Sequence, residues 1–340
     1  MTDNKKKSNN NELLIKELSS YYPGSSLAKE LSRTLKWSSD AVYRRIRGEV
    51  PFTFDEVILI ARDLRISLDS LTTKNDATNN NVVFTVNPEC LHLNGNQFQH
   101  NDTLSRYYEN LKILYDRCGE LTKDKSDNTS IKLAYNFIPS TFYLKYPVLK
   151  QFLLFKWIYQ YDKKFSLKSM SQLKIKEDTV ALNFDRQSIL QSFMRSEYVL
   201  DRSVFRSVVD DIIYFVRVGL ITAAELTSLK KALLSMISEI EQIAISGFLP
   251  SGNKIDIYIS QIDFHFSYAQ VMSDSSEYSF IRMYPFNYLY TSDPRICRMH
   301  RENIESLMKY STLVSHSNEI YRVVYFREQR QIVENITANL

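Results

Sequence analysis

The chain has 340 residues, 44% hydrophobic and 13% aromatic, enough for a substantial core in two or three domains and too apolar for a disordered chain. Its 43 basic and 39 acidic residues leave a net charge of only +4, so a uniformly basic surface is excluded and any nucleic-acid contact must come from a local cluster. With 7 Gly and no G-x-G-x-x-G or Walker A pattern, phosphate-cradling loops are not expected, and 3 scattered Cys exclude a disulfide framework.

Residues 1–11 are polar and rich in Lys and Asn; they read as a mobile tail without the apolar segment of a secretory signal. Residues 12–72 hold five short helix patterns. Leu13, Leu14 and Leu18 mark the first, broken by Pro23-Gly24. Ser25 and Ser26 are N-cap candidates for the second, with Leu27, Leu31 and Leu35 on one face. Ser38 caps the third, Asp40 complements its N-terminal dipole, and Gly48 ends it. Thr53 and Glu56 form a capping box for a fourth helix through Leu64, and Ser67 caps a fifth ending near Leu71.

The third helix is the informative one. At about 100° per residue, Val42 and Ile46 share a face while Asp40, Arg44 and Arg47 lie roughly opposite. Between residues 33 and 47, Arg33, Lys36, Arg44, Arg45 and Arg47 stand against Asp40 alone, a local excess of +4 that equals that of the whole chain. The run 30–48, followed by Thr53-Phe-Asp-Glu-Val-Ile-Leu-Ile-Ala61 and Leu64-Arg-Ile-Ser-Leu-Asp-Ser-Leu71, resembles the lambda-repressor-like, XRE-type helix-turn-helix. Ser38 matches that family's cap, Val42 its buried recognition-helix residue and Gly48 its terminator. Two positions depart from the pattern: Lys36 stands where the family turn usually has Gly, and Arg45 where it often has an apolar residue.

The resemblance covers about a fifth of the chain and implies sequence-specific binding of double-stranded DNA. Base reading would fall to Ser39, Asp40, Tyr43 and Arg44 in the major groove, where Arg pairs with guanine and Asp accepts from cytosine. Phosphate contacts would come from Ser26 and Lys29 at the start of the second helix, and from Arg45 and Arg47.

Residues 73–81 are a polar, Asn-rich linker. The stretch 72–81 would span roughly 35 Å fully extended and nearer ~17 Å as a flexible coil. Beyond it, 82–340 reads as one large domain. A strand is expected at 82–86 and helices at 103–118, 147–161, 203–218 and 222–245. The last of these opens with a Thr222–Glu225 capping box and carries the stripe Leu226, Leu229, Leu233, Ile237, Ile240 and Ala244. Period-two alternation at 254–260, continued by Phe264, Phe266 and Tyr268, and again at 278–284, predicts strands. Asp293-Pro294 opens another helix, and a final one spans 318–336.

Other chemistry in this domain is weak. Cys90, His92, Cys297 and His300 have incomplete zinc spacing, so no metal is expected, and a Cys/His nucleophile rests on nothing firmer. Asp210-Asp211 fit the solvent face of a helix better than a catalytic pair. The aromatic run from Phe142 to Tyr161 reads as core, with a ligand pocket among its rings as the sharper alternative. Arg322, Arg327 and Arg330 sit on a final helix that packs either on its own chain or on a second copy.

The expected fold class is therefore mainly α with a small α+β part: a five-helix DNA-binding domain, then a large, mostly helical C-terminal domain containing a small antiparallel sheet. The expected function is a cytoplasmic, non-enzymatic, dimeric transcriptional regulator without a cofactor. Its C-terminal domain would sense a small-molecule or peptide effector, or mediate assembly. No window of about 18 uncharged apolar residues predicts a membrane span. The alternative is a sensor, adaptor or enzyme in 82–340, with the head only locating it.

Overall fold

The computed structural model describes residues 10–22, 25–64, 115–122, 128–161, 166–173, 188–284 and 287–336. The chain divides into two compact units, Met1–Val83 and Phe84–Leu340. The expected fifth helix at 67–71, the linker, the strand at 82–86 and residues 103–114 of the expected 103–118 helix lie outside the described residues.

In the first unit, α1 (Asn10–Tyr21), α2 (Ser25–Leu35), α3 (Ser39–Ile46) and α4 (Phe54–Asp63) close around Leu14, Leu18, Leu27, Leu31, Val42 and Ile60, all buried. Each helix supplies apolar residues one turn apart, so four short amphipathic stripes share one centre. No such helix is stable alone at this length, and capping selects where α3 and α4 begin. The Ser38 hydroxyl accepts from the Ala41 N–H at 3.4 Å. Glu56 accepts from the Thr53 N–H at 2.7 Å while Thr53 Oγ1 accepts from the Glu56 N–H at 3.4 Å, completing the capping box.

The second unit corrects the expected fold class. Among the described residues it is built on a seven-stranded mixed sheet, not a small antiparallel one. The strands are β1 (Ser130–Tyr135), β2 (Arg195–Leu200), β3 (Lys254–Ser260), β4 (Tyr268–Met272), β5 (Glu277–Tyr284), β6 (Asn287–Thr291) and β7 (Ser311–Leu313). Their order is β6-β5-β4-β1-β2-β3-β7. β1, β2 and β3 pair in parallel, and the remaining neighbours are antiparallel. Parallel neighbours need crossover connections. The β2–β3 connection contains α7 (Val204–Arg217) and α8 (Ala223–Ser246), and the β1–β2 connection contains α5 (Ser140–Tyr143) and α6 (Pro147–Tyr161).

Strand alternation sorts the sheet into two unequal faces. Ile131, Leu133, Tyr198, Ile255, Ile257 and Val271 enter the main core with α6, α7 and α8. On the reverse face, under α9 (Pro294–Lys309), Ala134, Val199 and Ile304 form only a small cluster. Beside it runs a polar row in direct register, Asp256–Glu197–Lys132–Gln270. Lys132 reaches Glu197 at 3.3 Å, and Arg195 lies 3.1 Å from Glu197 and 3.6 Å from Asp256. The cations offset what would otherwise be two adjacent carboxylates in repulsion.

The predicted stripe of α8 is buried throughout, and its Thr222–Glu225 capping box forms. Gly247 ends it at φ 71°, the left-handed conformation that Gly adopts without steric cost. The final helix α10 (Glu319–Glu334) packs on its own chain: Arg322 is buried and donates to the Val314 carbonyl at 2.8 Å, and Arg330 pairs with Glu241 of α8. No helix among the described residues is long and apolar enough to cross a membrane.

Candidate nucleic-acid interface

The turn between α2 and α3 sets the pose of the basic helix. Ser32 Oγ donates to the Trp37 carbonyl at 2.6 Å, tying the turn back to α2. Lys36, at the position where the resembled family usually has Gly, takes φ 55°, a left-handed conformation. That conformation costs a side-chain-bearing residue about 1–2 kcal/mol, partly offset by the ~0.5–1 kcal/mol that Gly would lose in chain entropy. Lys36→Gly is therefore expected to stabilise the first unit by about 0.5–1 kcal/mol. Calorimetric melting of the full chain tests this, and a lower midpoint would sink it.

Once placed, α3 divides by face. Val42 is 1% exposed and anchors it to the core, with Ile46 packed alongside. Ser39 and Asp40 in the first turn, Tyr43 and Arg44 are all exposed, so the four expected base-reading side chains share an open surface. Arg47 follows at the C-cap, exposed as well. Lys29 is exposed on α2; Ser26 lies in the first turn of α2, and its side chain falls outside the described residues.

Arg45 does different work from its neighbours. Its guanidinium lies 4.3 Å from the Trp37 ring centroid and 5.7 Å from that of Phe52. Nη1 donates to the Pro51 carbonyl at 2.7 Å and Nη2 to Glu56 at 3.0 Å. With 16% of its side chain exposed, this arginine joins α3 to the Pro51–Glu56 segment, and its fork is occupied inside the unit. The departure from an apolar residue at this position is thus compensated by stacking and a carboxylate partner.

Glu49, which no helical periodicity marks, sits just past α3. Its carboxylate lies 2.6 Å from Arg47 Nε and 3.5 Å from Arg44 Nε. The Arg47 hydrogen bond holds the Glu49 carboxyl below its ordinary range, and Glu49 in turn raises Arg47. One anion therefore bridges the two outermost cations of the exposed face.

The remaining candidates are dispersed. Cys90 and His92 lie outside the described residues. Cys297 is buried and burial raises its thiol to about 12, which opposes the thiolate that a metal or nucleophile needs. His300 bonds through Nδ1 to Ser279 and stacks on Tyr268 at 5.4 Å, and burial lowers its pKa. Among the described residues no group of three or more His, Cys, Asp or Glu is arranged to hold a metal ion. Asp210 is exposed, whereas Asp211 pairs with Lys156. Of the aromatic run, Phe155 is core, packed edge-on against Phe215 at 5.6 Å; Tyr143, Phe152 and Trp157 also border a cavity. No protein-family model, curated protein or solved structure matches the chain significantly.

Proposed function

We propose that the chain is a sequence-specific regulator that places α3 in the DNA major groove. The observation that carries this reading is the exposed, contiguous set Asp40, Tyr43 and Arg44 on a short capped helix held from behind by Val42. Arg44 reads guanine edges, Asp40 accepts from cytosine N4, and Ser39 and Tyr43 flank them. Arg47, Lys29 and the backbone N–H groups at the start of α2 grip phosphates. Arg45 serves the fold of the head and not the backbone of the DNA. The C-terminal unit provides assembly or effector control, and paired heads would address half-sites one turn, ~34 Å, apart.

Selection of bound duplexes from a random pool by the full chain is expected to enrich one short motif. A pool that stays unenriched while the protein binds in a salt-dependent way would overturn sequence-specific reading. Glu49 bears on the same surface. It competes with phosphate for Arg44 and Arg47, so Glu49→Gln is expected to raise affinity about three- to tenfold at low salt, with the gain shrinking as salt rises. Unchanged or weaker binding of Glu49→Gln would show that the two arginines do not meet the DNA.

A further inference from the structure

The outer face of α10 is not consumed by the packing of the second unit. Its inward face carries Arg322, Tyr325, Phe326, Gln329 and Val333, all buried. At about 100° per residue these five centre on one side of the helix, and Ile320, Val323, Val324 and Arg327 fall on the remaining face. Ile320 is 83% exposed, more than any other large apolar side chain among the described residues, and Val323 is 48% exposed. Val324 beside them is half-buried. A single exposed aliphatic residue is ordinary, whereas three within five residues make an apolar stripe.

Charge frames this stripe. Glu319 and Arg327 are both exposed, and neither has an ion-pair partner among the described residues. They stand four residues to either side of Val323, about 6 Å along the axis in each direction. The three are spaced i, i+4 and i+8, so they share one flank of the helix.

That arrangement is complementary to itself. A twofold axis perpendicular to two antiparallel helices brings the same flank of each into contact. With the axis at Val323, positions equally far from it on opposite sides lie level across the pair. Glu319 of each copy then meets Arg327 of the other, giving one ion pair at each end. Val323 meets its counterpart at the axis. Ile320 settles between Val323 and Arg327 of the second copy, against the apolar stem of the arginine. A parallel pair would instead set Glu319 level with Glu319 and Arg327 level with Arg327. The charges therefore select the antiparallel, isologous contact of a closed dimer.

We propose that α10 is a self-association surface, on which a second copy of this chain docks antiparallel about Val323. Aliphatic side chains at the crossing allow the ~8–10 Å approach of packed helices. Only a few turns engage, so the contact lies at the small end of protein interfaces, with half-association expected at about 1–100 µM. The inference supplies the assembly contact that paired heads would use and rests on that reading for its purpose alone; the association itself is tested without DNA.

Sedimentation equilibrium of the full chain over about 1–300 µM is the test. The apparent mass is expected to rise from that of one chain to that of two and stop there, because the contact closes on itself. Arg327→Glu creates two like-charge pairs across the axis and is expected to weaken association about tenfold or more. Combining Glu319→Arg with Arg327→Glu exchanges the charges and should restore association to within about threefold. In a Cys90→Ser background, Val323→Cys is expected to link to its own counterpart through a short bis-maleimide. Gln331→Cys should not, since it lies ~24 Å from its counterpart along the axis. Cys118 and Cys297 are buried and stay silent in this assay. A chain that remains monomeric over the whole range would overturn the surface. Association that Arg327→Glu leaves unchanged, or cross-linking no more efficient at 323 than at 331, would overturn the pairing. Neither outcome depends on whether α3 reads DNA.

Discussion

Replacing Arg45 with Ala is expected to destabilise the first unit by about 2–3 kcal/mol, while replacing its neighbour Arg44 leaves stability within about 0.5 kcal/mol and removes DNA specificity instead. The two side chains are adjacent in sequence and opposite in environment. Arg45 has 16% of its side chain exposed and Glu56 19%, so removing the cation strands a carboxylate that is mostly shielded from water. A fully buried pair broken in this way costs about 3–5 kcal/mol, and the residual exposure reduces that figure. Loss of the stacked contact with Trp37 adds about 0.5–1 kcal/mol.

For a unit with only a handful of buried core residues among those described, this is a large fraction of the total, and a fall in melting temperature of roughly 10–20 °C follows. Arg45→Lys should rescue less than half, because an ammonium cannot stack on Trp37 and reach both Pro51 and Glu56 at once. Arg44, with 54% of its side chain exposed, has only Glu49 as an ion-pair partner among the described residues. Arg44→Ala is expected to weaken the selected site about 10- to 100-fold and random duplex much less. Equal losses on both duplexes would remove Arg44 from base reading, and an unchanged melt for Arg45→Ala would remove Arg45 from the fold.

The second large effect is expected at Gly247. Its φ of 71° already disfavours any side chain by about 1–2 kcal/mol. A Cβ there would stand 1.6 Å from His316 Cε1 and 1.9 Å from its Nε2, so the ring must move. That ring also packs edge-on against Phe248 at 6.3 Å. Gly247→Ala is thus expected to cost about 2–4 kcal/mol in denaturant unfolding. Gly219 is the control: φ is 75° there, and among the described residues nothing lies within 4 Å of an added Cβ. Gly219→Ala should show the conformational cost alone, about 1–2 kcal/mol. Adding His316→Ala to Gly247→Ala should bring that variant close to the Gly219 value. A double variant no better than Gly247→Ala would mean that the ring is not the obstacle.

Much of the local structure was legible in the residues. Thr53–Glu56 and Thr222–Glu225 form the capping boxes their spacing demands, and β3 occupies the stretch where Ile255, Ile257 and Ile259 alternate. The left-handed turn at Lys36 has no marker of its own, since Lys carries no signal for positive φ. The bridging role of Glu49 depends on where the chain turns after α3, and Arg282 and His265 reach the cavity from segments far from α6 in sequence.

Within the described residues, the sequence by itself determined the elements whose cause is local: the caps, the amphipathic stripes, the cationic excess around α3 and the alternation of β3. The central sheet was decided only by tertiary structure. Ser130 pairs with Arg195, and Arg195 with Lys254, separations of 65 and 59 residues, and no turn dictates either register. In β1 and β2 the reverse face holds Lys132 and Glu197, which resemble solvent-facing residues until they lie beside each other. A parallel ladder is chosen by the two faces that the whole sheet must bury together, and that choice exists only after α6, α7 and α8 have covered one of them.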